Sequence, residues 1–122
     1  MKKILIVDDN IDVLQVMQLL LITHGYAVEG TTNGEETIEL ADIFKPDLIF
    51  LDIHLSGIDG RDICRKIKTS DNAKNIPVIL FSANLINDKM LAETMADEFV
   101  AKPFDIHDLL AKVDKHIGVN QT

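Results

Sequence analysis

At 122 residues, the chain has the length of one domain and is long enough to bury a hydrophobic core. Hydrophobic residues make up 47% of it, which excludes a disordered tail. Its net charge of −8, from 20 acidic and 12 basic residues, repels nucleic-acid phosphates, so we expect no direct binding to nucleic acid.

Targeting signals are not evident in the sequence. No apolar stretch approaches the roughly 20 residues that span a bilayer. The apolar run after Lys3 stops at Asp8, which is too early for a secretory signal. The single cysteine, Cys64, cannot form an internal disulfide, which fits a reducing compartment. We therefore predict a cytoplasmic protein that does not bind a membrane.

Strand and helix patterns alternate along the whole chain. Asn33 and Glu36 have the spacing of a capping box, and Asp59 or Gly60 starts another helix after a turn. Asp105 can cap the last helix. The predicted strands are Lys3–Val7, Ala27–Thr31, Leu48–Asp52, Val78–Ser82 and Glu98–Ala101. The predicted helices run near Ile11–His24, from Asn33 to Phe44, from Asp59 or Gly60 to about Lys68, near Asn87–Thr94, and from Asp105 to Gly118.

This alternation predicts an α/β domain with five parallel strands and five helices that cover both faces of the sheet. Right-handed crossovers leave few topologies. In the doubly wound order 2-1-3-4-5, the strand order reverses between the first and third strands, and ligands bind at such a reversal. We assign residues 1–119 to the domain and residues 120–122 to a short C-terminal tail.

Polar side chains stand at the ends of four of these strands. Alone, each would be interpreted as a cap or a solvated turn. Because the carboxyl ends of parallel strands share one edge of a sheet, we expect these residues to lie together. They are Asp8 and Asp9 after the first strand, Asp52 at the end of the third, Ser82 at the end of the fourth and Lys102 after the fifth.

Three carboxylates at one edge predict a Mg²⁺ site, and Mn²⁺ is expected to substitute. Asp9 and Asp52 suit direct ligation, Asp8 could hold a metal-bound water, and the backbone carbonyl of His54 could add a ligand. Lys102 and Ser82 supply a cation and a hydroxyl for phosphoryl transfer, in which Asp52 as nucleophile would give an acyl phosphate. No organic cofactor is predicted.

Five segments of the chain resemble a response-regulator receiver domain of the chemotaxis-receiver type, and they cover nearly its full length. The segments are ILIVDDN at 4–10, PDLIFLDI at 46–53, GIDG at 57–60, PVILFSA at 77–83 and KPF at 102–104. That family has a flavodoxin-like sheet with the order 2-1-3-4-5. The resemblance implies a stand-alone, single-domain response regulator of two-component signalling.

The resemblance also implies a role for each site residue. These are Asp52 as phosphoacceptor, Asp8 and Asp9 as the acidic pair, Ser82 as the hydroxyl switch, Lys102 as the family's lysine and Phe99 as the aromatic switch. The donor would be a phosphohistidine on a histidine kinase or phosphotransfer protein. The surface around the fourth helix, fifth strand and fifth helix would then change its affinity for a downstream protein. Phe99 can equally be interpreted as a core aromatic.

The sequence departs from the family pattern at three places. Ser56 stands where many members have proline, and Met95 stands where glycine is common. The segment from Ser82 to Lys102 is shorter than usual by less than a turn of helix. These departures concern the loop after Asp52 and the fourth helix, which belongs to the usual output face.

Three other functions compete with the signalling hypothesis. A small Mg²⁺-dependent phosphohydrolase would also form an aspartyl phosphate, but it commonly needs an acid at the position of His54. A flavodoxin-like cofactor binder needs a phosphate-cradling loop after the first strand, where Asp8 and Asp9 would repel phosphate. A constitutive docking domain would not need the acidic residues. We expect no enzyme beyond limited self-catalysed phosphorylation and dephosphorylation.

Overall fold

The computed structural model describes residues 1–84 and 86–118. Within these ranges it contains a five-stranded sheet and five α-helices. The strands are β1 (Lys3–Val7), β2 (Ala27–Thr31), β3 (Leu48–Asp52), β4 (Val78–Ser82) and β5 (Glu98–Ala101). The helices are α1 (Ile11–Thr23), α2 (Thr37–Phe44), α3 (Gly60–Lys68), α4 (Asp88–Thr94) and α5 (Ile106–Ile117). The predicted tail, 120–122, and Val119 lie outside the described residues.

All five strands of this sheet are parallel, in the order β2-β1-β3-β4-β5. This confirms the predicted flavodoxin-like topology. The register pairs Val7 with Leu51, so the residues that follow them, Asp8 and Asp52, lie side by side. The register also pairs Ser82 with Ala101, one residue before Lys102. The sheet therefore brings the ends of four strands to one edge.

Helices pack on both faces of the sheet, as the continuously apolar strands predicted. On one face, α1 and α5 cover β1 and β3 through a cluster that includes Leu14, Met17 and Leu109. On the other face, α2 and α3 pack through Ala41 and Ile63 among others. Every residue of β3 and β4 is buried, as expected for central strands of a parallel sheet. None of the described helices has the length and apolar character that a membrane span requires.

The start of α2 differs from the prediction, because Asn33 and Glu36 do not form a reciprocal capping box. Asn33 accepts a hydrogen bond from the Glu35 N–H at 3.0 Å and opens a 3₁₀ turn. Its own N–H donates to the Thr31 hydroxyl at 3.0 Å. That hydroxyl in turn donates to Glu36 at 2.8 Å. Thr31 therefore stands between the two residues that were expected to bond directly.

A short antiparallel hairpin follows β3 and was not predicted. It pairs His54–Leu55 with Ile58–Asp59, and Gly57 at its turn has a φ of +81°. Segments of two residues are too short to show the alternation that identifies a strand. The hairpin leads directly into α3, whose N-cap is Asp59, as predicted. It fixes the loop that leaves the end of β3.

Met95 ends α4 in the left-handed conformation, with a φ of +67°. Glycine adopts this conformation without the steric cost that a Cβ brings, which explains why glycine suits the position. We expect Met95→Gly to raise the free energy of unfolding by roughly 0.5–1 kcal/mol. Urea unfolding of the variant measures this change. Glu93→Gly, in the last turn of the same helix, is the control and should instead lower the free energy of unfolding by about 1 kcal/mol.

Candidate functional site

The acidic residues predicted from the sequence meet at the carboxyl edge of the sheet. One ligand atom from each of Asp8, Asp9 and Asp52 lies within 4.8 Å of the others. Asp8 directly follows β1 and Asp52 ends β3, and both are buried. Asp9 is exposed. The adjacent strand ends explain this grouping, since β1 and β3 are hydrogen-bonded neighbours.

Lys102 closes the inner side of this group. Its Nζ lies 3.0 Å from Oδ2 of Asp8 and 3.0 Å from Oδ2 of Asp52. Its backbone N–H donates to the carbonyl of Ser82 at 2.8 Å, which continues the sheet past β5. The ammonium also lies 4.8 Å from the centroid of the Phe81 ring. The sequence predicted a cation at this edge but not its equal contacts with Asp8 and Asp52.

Burial and charge act on these groups in opposite directions. Burial raises the pKa of Asp8, and the nearby charge of Asp52 adds to this. The Asn10 N–H and Lys102 lower the pKa without reversing the rise. Burial disfavours the ammonium of Lys102, but hydrogen bonds and charges from Asp52 and Asp8 outweigh it and raise that pKa. The site therefore keeps one fixed cation and favours additional positive charge near Asp8.

The donor set fits a hard divalent cation. Carboxylate oxygens are the ligands that Mg²⁺ prefers, usually one or two of them together with waters and phosphate oxygens. Asp9 and Asp52 supply such oxygens, and each carboxylate has about four acceptor sites, more than the hydrogen bonds around it occupy. The His54 N–H donates to Oδ1 of Asp52 at 3.1 Å, which places the His54 backbone at the site. Its carbonyl as a ligand stays a prediction.

Ser82 is fully buried at the end of β4. Its hydroxyl accepts a hydrogen bond from the Asn84 N–H at 3.0 Å. The Asn84 side chain in turn lies 3.1 Å from Nε2 of His54, which links the loops that follow β4 and β3. No motif marks Asn84, so sequence reasoning missed it. The switch role of Ser82 stays a prediction.

Phe99 is half-buried on β5 and packs against the core cluster on the α2–α3 face of the sheet. Its register partner is Leu80 on β4. This position is compatible with a core aromatic and with a side chain that turns between two orientations.

Ser56 contacts the acidic group, although the sequence marked it only as a departure from the family pattern. Its backbone N–H and its hydroxyl both donate to Oδ2 of Asp9, at 3.2 Å and 3.1 Å. A proline at this position would lack both donors. The hairpin after β3 and Asp9 together line an open cavity of about 320 Å³ beside the carboxylates.

The raised pKa of Asp8 predicts a pH-dependent stability. Between the ordinary Asp pKa of about 3.9 and the higher folded value, the folded state binds more protons than the unfolded state. Stability therefore falls as pH rises through that window. We expect Asp8→Asn to be more stable than the original chain at neutral pH, on the order of 1 kcal/mol, with the difference shrinking as pH falls.

The free energy of unfolding in urea, measured from neutral to acid pH without divalent cations, checks the prediction for Asp8. Asp71→Asn is the control, because the Asp71 side chain is 99% exposed and should show no such divergence. A constant difference between Asp8→Asn and the original chain at all pH values would show that the carboxylate charge is not responsible.

Comparison with known proteins places this geometry in a family. Residues 4–114 match the family described as response regulator receiver domain. The chain is 34% identical over 115 residues to the DNA-binding dual master transcriptional regulator RpaA of Synechocystis sp., a match that covers 93% of this chain and 48% of that protein. The chain thus spans about half the length of this curated relative.

Solved structures of receiver domains have the same fold. The receiver domain of a signal transduction histidine kinase from Syntrophus aciditrophicus has a TM-score of 0.85 at 30% identity, covering 100% of this chain and 95% of that one. A two-component response regulator from Clostridium difficile has a TM-score of 0.82 at 32% identity, covering 96% of both chains.

A third structure of a receiver domain contains a metal ion. The receiver domain of the sensor histidine kinase PA1611 from Pseudomonas aeruginosa has a TM-score of 0.86 at 27% identity, covering 96% of this chain and 98% of that one. It carries a magnesium ion in its active site cleft. By its sequence match, topology and site geometry, the chain belongs to the response regulator receiver domain family of two-component signalling.

Proposed function

We propose that this receiver domain accepts a phosphoryl group on Asp52 in a Mg²⁺-dependent reaction and thereby changes its affinity for a partner protein. One observation carries the proposal. The Asp52 carboxylate lies at the strand-order reversal, within reach of the Lys102 ammonium and grouped with Asp8 and Asp9. This arrangement combines a nucleophile, a fixed cation and oxygen ligands, which is what phosphoryl transfer requires.

The transfer forms a bond between an Asp52 carboxylate oxygen and phosphorus while the bond from phosphorus to the donor nitrogen breaks. The donor nitrogen keeps that electron pair. Asp9 and Asp52 would hold a Mg²⁺, with Asp8 supporting a bound water, and the cation would neutralise charge on the phosphoryl oxygens. Lys102, already held at Asp52, can pair with the oxygens that arrive there. Ser82 supplies a hydroxyl donor.

Asp52 suits the nucleophile role better than Asp8. Both contact Lys102, but Asp8 is fully buried and its pKa is raised, mainly by burial. A carboxylate with no exposed surface also offers a phosphoryl donor no access to its oxygens. The Asp52 side chain retains 5% exposure at the edge of the site.

We infer that the donor is a phosphohistidine on a histidine kinase or phosphotransfer protein. The similarity to receiver domains from two histidine kinases supports this donor class. The downstream partner would contact the surface around α4, β5 and α5. Ser82 ends β4 and Lys102 directly follows β5 on that side, so changes at Asp52 can reach this surface. We place the reaction in the cytoplasm. We do not propose the phosphohydrolase alternative, because His54 stands where such an enzyme commonly needs an acid.

Intact-mass measurement tests the proposal. With Mg²⁺ and a small phosphodonor such as acetyl phosphate, the protein should gain one phosphoryl group. The gain should disappear in Asp52→Asn and when a chelator removes the cation, and it should persist in Asp71→Asn. An adduct of equal yield in Asp52→Asn would contradict the assignment, as would a yield that is independent of divalent cations.

A further inference from the structure

Asp9 is held differently from the other two carboxylates. Asp8 and Asp52 share the Lys102 ammonium, at 3.0 Å from each. Asp9 instead accepts two hydrogen bonds from Ser56, one from the hydroxyl at 3.1 Å and one from the backbone N–H at 3.2 Å. Ser56 is 47 residues away along the chain, so the loop after β3 supports a ligand that is attached to β1.

The loop that carries Ser56 is itself fixed at both ends. Ser56 lies in the turn of the hairpin that pairs His54 with Asp59. The His54 N–H is bonded to Asp52 at 3.1 Å. At the other end, the Asp59 side chain accepts from the Arg61 N–H at 2.9 Å and starts α3. The donors of Ser56 are therefore presented by an ordered turn.

Both donors act on the same carboxylate oxygen. A carboxylate oxygen accepts about two hydrogen bonds, so the hydroxyl and N–H of Ser56 occupy Oδ2 of Asp9 and leave Oδ1 to accept a ligand. Asp9 is exposed, and an exposed side chain that binds a cation must lose rotamer freedom. Ser56 removes much of that freedom before any cation arrives.

We propose that Ser56 is a positioning residue: it orients the Asp9 carboxylate toward those of Asp8 and Asp52, so that the three can bind a divalent cation. This inference rests on the proposed function. Ser56 acts through Asp9 and does not contact the cation. Groups that orient metal ligands in this way commonly change metal affinity by ~10–100-fold when removed. Because Ser56→Ala retains the backbone N–H, we expect an effect near the lower end.

Calorimetric titration of the whole chain with Mg²⁺, without a phosphodonor, tests the inference. Ser56→Ala should weaken binding by about tenfold, and Ser56→Thr, which keeps the hydroxyl, should restore most of it. Ser70→Ala is the matched control, since Ser70 lies just beyond the far end of α3. The free energy of unfolding without Mg²⁺ verifies that each variant is folded.

A double-mutant cycle separates positioning from a general effect on the loop. In an Asp9→Ala background, Ser56→Ala should change Mg²⁺ affinity no further. Equal loss in both backgrounds, unchanged binding in Ser56→Ala, or tighter binding because the hydroxyl competed with the cation would each overturn the inference. If the original chain itself binds no Mg²⁺, the proposed function fails as well. If the original chain binds Mg²⁺ and Ser56→Ala binds it with the same affinity, only the inference about Ser56 is overturned and the proposed function stands.

Discussion

Replacement of Lys102 by methionine is expected to lower the free energy of unfolding by about 3 kcal/mol at pH 7. The change keeps the length and volume of the side chain but removes the cation that lies 3.0 Å from both Asp8 and Asp52. Two buried carboxylates then face each other without compensation, and removing one partner of a buried ion pair commonly costs ~3–5 kcal/mol. The 19% exposure of the Lys102 side chain favours the lower end of that range.

Two further measurements identify charge as the cause of this loss. Lowering the pH should narrow the gap between Lys102→Met and the original chain, because protonation removes the repulsion between Asp8 and Asp52. Adding Mg²⁺ should narrow it too. The control is Lys74→Met, whose exposed lysine lies 3.8 Å from Asp71 and should contribute little. Unchanged stability of Lys102→Met at neutral pH would contradict the electrostatic explanation.

The raised pKa of Lys102 predicts a second pH dependence of stability, at alkaline pH. Because folding raises that pKa, the pairing stabilises the fold fully below the ordinary lysine value of about 10.4. The stabilisation is lost as pH rises through the higher folded value. The original chain should therefore lose stability at alkaline pH, whereas Lys102→Met should lack this component.

Replacement of Gly60 by alanine should destabilise the fold by about 2–3 kcal/mol. An added Cβ would lie 2.0 Å from the backbone carbonyl oxygen of Asp52 and 2.9 Å from the Ile53 Cα. Backbone atoms cannot rotate away as a flexible side chain can. The Gly60 N–H also donates to the Ile53 carbonyl at 2.7 Å, so α3 starts directly against the end of β3. The substitution should displace Asp52 and weaken Mg²⁺ binding.

Gly57 provides the matched control in the same loop. Its φ is +81°, but an added Cβ would meet nothing within 4 Å. Gly57→Ala should therefore lower the free energy of unfolding only by the cost of placing alanine at a positive φ, about 1–2 kcal/mol. It should leave Mg²⁺ affinity nearly unchanged. Urea unfolding and Mg²⁺ titration of both variants provide the comparison. If Gly60→Ala costs no more than Gly57→Ala and binds Mg²⁺ normally, the close approach to Asp52 is unimportant.

The sequence predicted the sheet well because burial on both faces leaves a simple signal. β3 and β4 are buried at every residue, so they read as unbroken apolar runs. Polar residues at the ends of these runs marked the site edge, and parallel strands place such ends together. Asp59 and Asp105 were identified as helix starts because an aspartate side chain can accept from the first N–H groups of a helix.

Contacts between loops could not be read from the sequence. The bonds from Ser56 to Asp9 and from Asn84 to His54 depend on the backbone path of turns, which a hairpin of two-residue strands determines. The shared contact of Lys102 with Asp8 depends on side-chain conformation across 94 positions of the chain. Composition and spacing carry no information about either. The capping role predicted for Glu36 was also wrong, because the Asn33 N–H donates to the Thr31 hydroxyl and not to the Glu36 carboxylate.

Chemical trapping can show which carboxylate carries the phosphoryl group. After reaction with acetyl phosphate and Mg²⁺, borohydride reduces an acyl phosphate and leaves homoserine at the modified residue, which peptide mass spectrometry then locates. Phosphoryl transfer as proposed predicts homoserine at position 52 alone, and none when Mg²⁺ is withheld. Homoserine at position 8 or 9 would show that Asp52 is not the acceptor and would contradict the mechanism.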